Sequence, residues 1–352
     1  MTLSELQEKI IKWDRHHTGP PAEAKYSIIF DQLSYHASHG WETYLPTDGC
    51  AFSSDYMERL AAWIGNADND ADQKLMLEYA SYISFFCNKD FNALYQTAYH
   101  REAAPWIAQQ MGIDLLGGLD SYNARLQNAL KWETWYCPVT DSMKINEFYK
   151  VNHIMGAPQR PIFDSLHKMS EDPVNPQPNI GKYWSRYMDN PSPRPANDTR
   201  PSLDYLVLLE DVVGSSSQSI DIIRWAVTEL GRPVLFIPLI LCPNGVDSLK
   251  KEVKKLKGRL TVKPVIELKR VDLLGPERKG QQGWKISDSV ESLAQRTVNK
   301  LGIPPSEVFG YRETGCSLAT YSNTPDNSLP MIHRSPRTET WKPLFPRVHR
   351  GD

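Results

Sequence analysis

Through residues 1–135, apolar positions recur with the period of an amphipathic helix. The spacing is clearest at residues 3–13, returns at residues 56–63, and is dense from residue 73 to residue 96. Aromatic side chains in the last of these stretches could form a platform for a ligand, but aromatics at helical spacing more often pack in a core. The pattern predicts a mostly helical N-terminal region over residues 1–135.

The pattern breaks between residues 171 and 202, where seven prolines interrupt a polar stretch. Proline has no backbone N–H to donate, and its ring clashes with the preceding turn of a helix. This segment therefore cannot sustain a helix or a central strand. It is predicted to be a long excursion from the fold and to mark a soft boundary.

Beyond residue 203, short apolar runs alternate with helical faces. Strands are predicted at residues 134–137, 203–209, 234–241, 262–271 and 316–321. Helices are predicted at residues 220–230, 249–256 and 289–301, with Ser219 as the N-cap of the first and Gly231 as its stop. Strand–helix alternation is typical of a parallel sheet. The sequence thus predicts an α/β fold with a mostly parallel sheet, on which the helical N-terminal region packs.

Composition and charge exclude several classes of protein. The chain has 352 residues, of which 40% are hydrophobic and 23% charged, as in globular rather than disordered proteins. Its formal net charge of −2 does not demand a polyanionic partner. The five cysteines include no Cys-x-x-Cys pair, which argues against a structural zinc site and a disulfide framework. With no apolar run near the ~20 residues of a membrane-spanning helix and no signal-peptide core, we expect a cytoplasmic protein.

The most informative segment joins the predicted strand 203–209 to the predicted helix 220–230. Two acids, Glu210 and Asp211, precede two aliphatic residues and a loop of small residues, 214–219. Ligands of open α/β sheets bind at the carboxyl ends of strands, and the N–H groups of such a loop at a helix N-terminus suit a phosphate. Two carboxylates would repel that phosphate unless ribose hydroxyls and a magnesium ion lay between them. The segment therefore predicts a sugar-phosphate site.

Other phosphate-binding motifs fit this segment less well. A Walker A loop needs Gly-Lys-Ser/Thr, and no lysine lies between Pro201 and Lys250. A dinucleotide fingerprint needs three spaced glycines, and this loop contains one. A purely structural alternative stays open, in which Glu210 and Asp211 end a strand and cap a turn while the serines form a linker.

Two further pairs of residues have side chains that could contact a ligand. Asp141 and Ser142, with Thr140 before them, follow the predicted strand 134–137 and precede a predicted helix, so this segment forms either a pyrophosphate-facing loop or an N-cap. Asn323 and Asn327 follow the last predicted strand and could share the sheet edge with the main loop, there binding a base or a sugar. Turn chemistry alone also accounts for the two asparagines.

Two more segments are polar or basic. Residues 278–285 form a glycine-bearing loop that is either a lid over pyrophosphate or a solvated loop. The C-terminal tail from residue 334 onward has an excess of positive charge and could touch nucleic acid or an acidic patch. Its apolar residues Trp341, Leu344 and Phe345 predict that its middle docks onto protein.

Three parts of the sequence resemble the phosphoribosyltransferase-like effector family of bacterial conflict (anti-phage) systems, which has a type I phosphoribosyltransferase-like fold. They are residues 210–218, residues 137–146, and residues 310–316 together with 323–330. The likeness implies that the helical region 1–135 is integral to the same module as the α/β domain 136–330. A basic C-terminal tail, residues 331–352, follows.

The resemblance also implies roles for individual residues. Glu210 and Asp211 would be the catalytic acids that hold the ribose hydroxyls, and Asp211 would hold Mg²⁺. The 5′-phosphate would lie on Gly214, Ser215, Ser216, Ser217, Gln218 and Ser219. Ordinary transferases often have glycine where Ser216 and Ser217 stand, and Thr or Ser where Gln218 stands. Because glycine lets a backbone approach a phosphate closely, these departures argue against a standard nucleotide-salvage enzyme.

The function that the resemblance implies is that of a toxic effector in a bacterial anti-phage defence system. It would bind phosphoribosyl diphosphate or a nucleotide with magnesium and would transfer or cleave a glycosidic or phosphoribosyl bond. Its implied partners are that ribose phosphate and a defence-system protein such as a reverse transcriptase or nuclease with its nucleic acid, and no membrane. The alternative is a catalytically inactive nucleotide-sensing or interaction subunit of a defence complex.

Overall fold

The structure of the chain is a computed structural model, and it describes most of the sequence. The described residues are 1–15, 24–41, 44, 55–112, 119–154, 165–166, 204–217, 219–336 and 341–348. The predicted proline-rich excursion, residues 171–202, and Gln218 lie outside them.

Helices dominate the first part of the chain, and strands alternate with helices after it. The helices are α1 (Leu3–Arg15), α2 (Lys25–His39), α3 (Tyr56–Ile64), α4 (Asp70–Ala80), α5 (Asn88–Thr97), α6 (Ala104–Gln110), α7 (Leu119–Asn128), α8 (Ile145–Val151), α9 (Ile220–Leu230), α10 (Pro243–Lys255), α11 (Ser287–Leu301) and α12 (Pro330–His333). The strands are β1 (Ser84–Phe86), β2 (Thr134–Pro138), β3 (Tyr205–Val213), β4 (Val234–Leu241), β5 (Leu260–Val262), β6 (Ile266–Glu267) and β7 (Leu318–Thr320). Short π-helical turns, Ala98–Ala103 and Ala129–Glu133, continue α5 and α7.

The chain folds into two compact units. The first contains residues 1–91 and 269–352, and the second contains residues 92–268. The predicted regions, residues 1–135 and 136–330, do not coincide with these units, because each region contributes residues to both units. The division arises because the chain returns after residue 268 to complete the unit that it began.

A parallel sheet forms the centre of the second unit. Its strand order is β2-β3-β4-β5, with β6 beside β4, and every pairing is parallel. All eight residues of β4 are buried, as expected for a strand covered on both faces. The structure thus confirms the α/β fold with a mostly parallel sheet.

Helices cover both faces of this sheet. On one face, Leu208 of β3 and Phe236 of β4 share an apolar cluster with Ile223 of α9 and Leu249 of α10. The opposite face carries Tyr205 and Thr261, because side chains alternate along a strand. There Trp106 of α6 packs edge-on against Tyr205, and its Nε1 donates to Thr261 Oγ1 at 3.3 Å. Helices from the predicted helical region therefore do pack on the sheet.

The first unit has its own apolar core, built mainly from helices. Side chains of α1 to α4 and α11 pack there with the C-terminal segment. Trp341, Leu344 and Phe345 are buried in that core, which confirms that the middle of the tail docks onto protein. Phe85 of β1 stacks on Phe345 with ring centroids 5.2 Å apart.

The last predicted strand joins a different sheet from the one expected. The strand predicted at residues 316–321 could have placed Asn323 and Asn327 at the same sheet edge as the loop 214–219, but β7 pairs with β1 in a separate two-stranded sheet. The sequence did not indicate β1, because three residues are too short a run to show a period. Because β1 was not predicted, the large sheet was the only partner that the sequence offered for β7.

Three other boundaries differ from the predicted ones. The strand predicted over residues 262–271 is two short strands, β5 and β6, with Pro264 between them. Proline cannot donate to a ladder, which accounts for the break. β3 continues through both acids to Val213, and α10 begins at Pro243 rather than at residue 249.

None of the helices in the described ranges combines the length and the apolar character that a membrane-spanning segment needs.

Candidate functional site

The acid pair lies where β3 extends past the end of β2. The last residues paired between these strands are Pro138 of β2 and Leu209 of β3. The chain then continues beside β3 for one more step, since the N–H of Val139 donates to the carbonyl of Leu209 at 2.9 Å. Thr140 therefore reaches Glu210. Both residues lie at the carboxyl edge of the sheet, where open α/β sheets bind ligands.

Glu210 is buried and accepts hydrogen bonds from the segment that follows β2. Its side chain is 4% exposed. The N–H of Thr140 donates to Oε2 at 2.8 Å. Oε1 lies 2.5 Å from the hydroxyl of Thr140 and 2.9 Å from the hydroxyl of Ser142. Both carboxyl oxygens of Glu210 are therefore occupied by residues 140–142.

Ser142 connects the two acids. Its hydroxyl oxygen lies 2.8 Å from Oδ1 of Asp211 as well as 2.9 Å from Oε1 of Glu210. It also lies 2.8 Å from the hydroxyl of Thr140. Residues 140–142 and the acid pair thus form one continuous hydrogen-bonded cluster.

The cluster favours a proton on Glu210. Burial raises the pKa of Glu210 to about 8, and the charge of Asp211 adds to this, while the bonds from Thr140 and Ser142 work in the opposite direction. The number of hydrogens available for the contacts in this cluster supports the same direction of the pKa shift. The oxygens of Thr140, Ser142 and the two acids make four contacts, but the two hydroxyls supply only two hydrogens. A proton on Glu210 supplies a third.

Asp211 differs from Glu210 in having an oxygen to spare. Its side chain is half-buried. Oδ1 accepts from the N–H of Val212 at 2.8 Å and lies against Ser142. Within the described part of the chain, Oδ2 has no hydrogen-bond donor. Asp211 is therefore the acid of the pair that can accept a bond from a ligand.

The small-residue loop joins β3 to α9, which is the position that the sequence predicts for it. The carbonyl of Ser216 accepts bonds from the N–H groups of Ser219 (3.1 Å) and Ile220 (2.9 Å) and so turns the chain into the helix. Ser219 does not cap α9 as expected, because its hydroxyl donates to the carbonyl of Ser216 at 3.3 Å instead. The first turn of α9 therefore has no side-chain cap from this position.

Three backbone N–H groups of the loop have no internal acceptor among the described residues. They belong to Gly214, Ser215 and Ser216, whereas the N–H of Ser217 lies 3.4 Å from the Ser215 hydroxyl. Free N–H groups at the start of a helix, where the helix dipole is positive, favour an anion. The loop thus has donors suited to a phosphate.

Ser216 has an unusual backbone conformation. Its φ of 61° is in the left-handed region, which favours glycine. Its hydroxyl is buried and, in the part of the chain that the structure describes, has no hydrogen-bond partner. Ser216 is one of the two positions at which ordinary transferases often have glycine.

The comparison with known families rests on most of the chain. The model of the family PRTase-CE matches residues 60–347. The chain belongs to PRTase-CE, a phosphoribosyltransferase-like family. This confirms the resemblance seen in the sequence. No curated protein and no solved structure matches the chain.

The PRTase-CE chain places its predicted site residues in two groups. Ser142 is hydrogen-bonded to both Glu210 and Asp211, and residues 214–217 and 219 come directly after the end of the strand that carries the two acids. Asp141 is exposed in the segment between Thr140 and Ser142. Asn323 and Asn327 belong to the first unit.

The two asparagines are engaged in contacts within that unit. The amide of Asn323 donates to the carbonyl of Val348 at 3.0 Å, and its oxygen accepts from the N–H groups of Thr324 and Val348. The amide of the buried Asn327 donates to the Thr314 hydroxyl at 3.0 Å. These contacts fit the turn-forming interpretation, and a ligand-binding role for the asparagines stays a prediction.

A magnesium ion would have to be held by one protein carboxylate and the ligand. Within the described residues, no group of three or more His, Cys, Asp or Glu side chains could hold a metal. Mg²⁺ is commonly bound through one or two carboxylates together with substrate phosphates. Asp211 fits this mode, because no described residue engages Oδ2, whereas Glu210 does not, because both of its oxygens are engaged.

One residue of this site in the PRTase-CE chain was not singled out from the sequence, and the role of another was not foreseen. Thr140 begins the segment that was predicted to face pyrophosphate or to cap a helix, but its two contacts to Glu210 were not predicted. Gly245 of α10 lies against the loop, since a Cβ there would be 2.8 Å from the carbonyl oxygen of Gly214. A glycine inside a predicted helix often marks such a close approach, but that helix was predicted to begin later, at residue 249.

Proposed function

We propose that this PRTase-CE chain binds a ribose phosphate, either phosphoribosyl diphosphate or a nucleotide, at the carboxyl edge of the sheet in its second unit. The observation that carries the proposal is the Ser142 bridge, which joins Glu210, Asp211 and the segment after β2 in one cluster beside the small-residue loop. A ribose phosphate needs acceptors for its hydroxyls and donors for its phosphate. Asp211 supplies an acceptor for the hydroxyls, and the loop supplies donors for the phosphate.

The two acids have different roles in this proposal. Asp211 accepts from the ribose hydroxyls and holds Mg²⁺, because it has the free oxygen. The N–H groups of Ser215 and Ser216 hold the 5′-phosphate. Glu210 does not touch the ribose and acts as a positioning residue, since its oxygens already hold Thr140 and Ser142 in place.

The chemistry proposed is transfer or hydrolysis at the anomeric carbon of the ribose. Such reactions pass through a state with oxocarbenium character, so the protein contributes mainly by positioning groups and stabilising charge. Mg²⁺ would neutralise charge on the departing oxygens. Residues 140–142, held by Glu210, lie next to Asp211 and would face the leaving group.

A catalytically silent nucleotide-binding module is the second candidate. It is favoured by the engagement of both Glu210 oxygens, which leaves only one acid for ribose hydroxyls, and by a left-handed serine at position 216, where ordinary transferases often have glycine. The two candidates differ in turnover. Release of pyrophosphate or of a free base by wild type, and not by Asp211→Asn, supports the enzyme, while binding without any product supports the module.

Calorimetric titration of the full chain tests ligand binding. Phosphoribosyl diphosphate, AMP and ATP are titrated with magnesium into wild type and Asp211→Asn. Loss of a charge-assisted contact is worth roughly 1.5–3 kcal/mol, so the dissociation constant should rise tenfold or more. Asp204→Asn is the matched control, because it makes the same chemical change next to the opposite end of β3. Binding of none of these ligands by wild type overturns the proposal.

The biological role that we propose is that of a toxic effector in bacterial anti-phage defence, acting with a partner such as a reverse transcriptase or nuclease and its nucleic acid. Its support is the resemblance to conflict-system effectors. Expression toxicity is the test. Wild type, alone or with its triggered partner, should arrest growth, and Asp211→Ala should not. Equal toxicity of both forms would contradict an effector that acts through this site.

A further inference from the structure

Two sequence segments that the proposed site does not use meet in the first unit. They are residues 310–316 and 323–330, both of which carry the family resemblance. The N–H of Tyr311 donates to the carbonyl of Asp326 at 2.7 Å. The N–H of Leu329 donates to the carbonyl of Cys316 at 3.0 Å, so the two segments run side by side. A cavity of about 270 Å³ opens beside this junction.

The backbone at this junction is held in an unusual conformation. Gly310 and Gly315 have φ values of 78° and 69°, and a Cβ at Gly315 would lie 1.8 Å from the carbonyl oxygen of Leu274. Between them, Arg312 and Glu313 are also left-handed, with φ of 56° and 53°. Adjacent non-glycine residues in this region are strained, and such strain clusters at ligand sites.

Three arginines line the cavity. Arg312 and Arg334 form no ion pair in the part of the chain that the structure describes. Arg347 faces Asp326 at 3.6 Å, which is too far for a hydrogen bond. Nε and Nη1 of Arg347 are buried and, among the described residues, have no acceptor. The lining thus contains a partly buried guanidinium whose donors are not satisfied.

The charge of the lining favours an anion. Its carboxylates are Glu307 and Asp326, so the three arginines leave a net positive charge. Nε2 of the buried His333 lies 3.2 Å from the carbonyl of Ser328, which can only accept, so Nε2 is the donor of that pair. Arginine is the side chain best suited to phosphate, because its planar fork of N–H groups matches the phosphate oxygens.

We propose that this pocket binds a phosphate group, which makes it a second anion site of the protein. The cavity is smaller than the pockets of drug-sized ligands, so it suits a phosphate or pyrophosphate group better than a whole dinucleotide. Tyr311 lies at the same opening and is 37% exposed. Its ring centroid is 5.7 Å from Cζ of the Arg312 guanidinium. The site is independent of Asp211 and of the loop 214–219.

Titration of inorganic phosphate into the full chain tests this site. Arg312→Gln and Arg334→Gln remove cations that make no ion pair with any described residue, so they should leave the fold intact. Each should weaken phosphate binding at least tenfold relative to wild type. Arg296→Gln, which removes an exposed arginine of α11, is the matched control and should bind as wild type does. Pyrophosphate and ribose 5-phosphate as further titrants distinguish a free phosphate ligand from a sugar phosphate.

A variant of the loop distinguishes phosphate binding at the arginine pocket from phosphate binding at the loop. Ser217→Asp adds a negative charge there and should abolish binding to the proposed ribose-phosphate site while leaving the arginine pocket unchanged. Phosphate binding that disappears in Ser217→Asp and persists in the Arg312→Gln, Arg334→Gln double variant overturns the second site. So does a wild-type protein that binds no phosphate at about 10 mM. Failure of phosphoribosyl diphosphate to bind leaves the pocket prediction intact.

Discussion

The hydroxyl oxygen of Ser142 lies 2.8 Å from Oδ1 of Asp211, although the two residues are 69 positions apart in the chain. The contact forms because β2 and β3 are parallel neighbours that end at the same edge of the sheet. β3 extends four residues past Leu209, and the two acids are the first of these, so the segment after β2 comes to lie beside them. One hydroxyl thereby fixes the orientation of the acid that is free to meet a ligand.

Removal of that hydroxyl should weaken both the fold and ligand binding. Ser142→Ala deletes contacts to two carboxyl groups, and we expect the free energy of unfolding to fall by about 1–2 kcal/mol. Asp211 would lose its orientation, so the dissociation constant for phosphoribosyl diphosphate should rise about tenfold. Ser142→Thr should restore both values. Thermal melts and calorimetry measure them.

Ser292→Ala is the control for the loss of a serine hydroxyl, because the Ser292 hydroxyl donates to the carbonyl of Asp288 on the exposed face of α11 and has no other bond among the described residues. It should leave ligand affinity unchanged. Equal affinities for wild type and Ser142→Ala would show that Asp211 is positioned by other contacts.

The pH dependence of stability should reveal the proton on Glu210. Burial, with the charge of Asp211, raises the pKa of Glu210 from 4.5 to about 8. Between these pH values the unfolded chain releases a proton that the folded chain keeps. The contribution of Glu210 to stability is therefore complete below pH 4.5 and is lost as the pH rises through about 8.

Glu210→Gln removes this dependence, because an amide of similar shape does not ionise. The unfolding free energy of wild type should fall between pH 5 and pH 8. In Glu210→Gln we expect this fall to be smaller by more than ~1 kcal/mol. Denaturant unfolding at the two pH values measures it. Glu267→Gln makes the same change at an exposed residue and should have little effect. A wild-type pH dependence retained in Glu210→Gln would mean that Glu210 is ionised in the folded protein.

The order of strands and helices in the second unit was predictable from the sequence. β4 is a continuous apolar run, and α9 combines a clear apolar face with Gly231 at its left-handed stop. These signals are local, and they determine local structure directly. The acids and the small-residue loop were recognisable for the same reason, since a strand, an acid pair, a loop and a helix follow one another within a few residues.

Features that depend on distant residues were not predictable. The pairing of β7 with β1 joins residues more than two hundred positions apart, and neither short strand indicates its partner. The engagement of Glu210 by Thr140 depends on the lengths of two neighbouring strands rather than on either sequence alone. A pattern of residue types gives the kind of element, whereas register and partner come from tertiary packing.

The close approach of α10 to the loop gives a third prediction. A methyl group at Gly245 would lie 2.8 Å from the Gly214 carbonyl oxygen and 2.7 Å from Cδ1 of Leu241. Because the first of these is backbone, Gly245→Ala must displace the loop, and we expect a loss of about 1–3 kcal/mol in unfolding free energy with weaker phosphate-ester binding. Thermal melts and calorimetry with phosphoribosyl diphosphate check both effects.

Gly40→Ala is the matched control, because a Cβ at Gly40 meets its nearest atom only at 3.9 Å. Its effect on stability should stay within about 0.5 kcal/mol. If Gly245→Ala is as stable as the control and binds ligand normally, the helix does not constrain the loop.

The last prediction concerns Ser216, whose backbone is left-handed and whose buried hydroxyl has no partner among the described residues. Relief of the left-handed strain by glycine is worth about 1–2 kcal/mol, while the greater freedom of glycine in the unfolded chain costs about 0.5–1 kcal/mol. The unpaired hydroxyl is also removed, so Ser216→Gly should stabilise the protein by about 1 kcal/mol. Ser215→Gly, which changes a residue outside the left-handed region, should destabilise it. Glycine also lets the backbone approach a phosphate closely, so Ser216→Gly should bind phosphoribosyl diphosphate at least as tightly as wild type. Thermal melts and calorimetry of both variants test the prediction, and a less stable Ser216→Gly protein would mean that the serine hydroxyl has a stabilising partner in the folded loop.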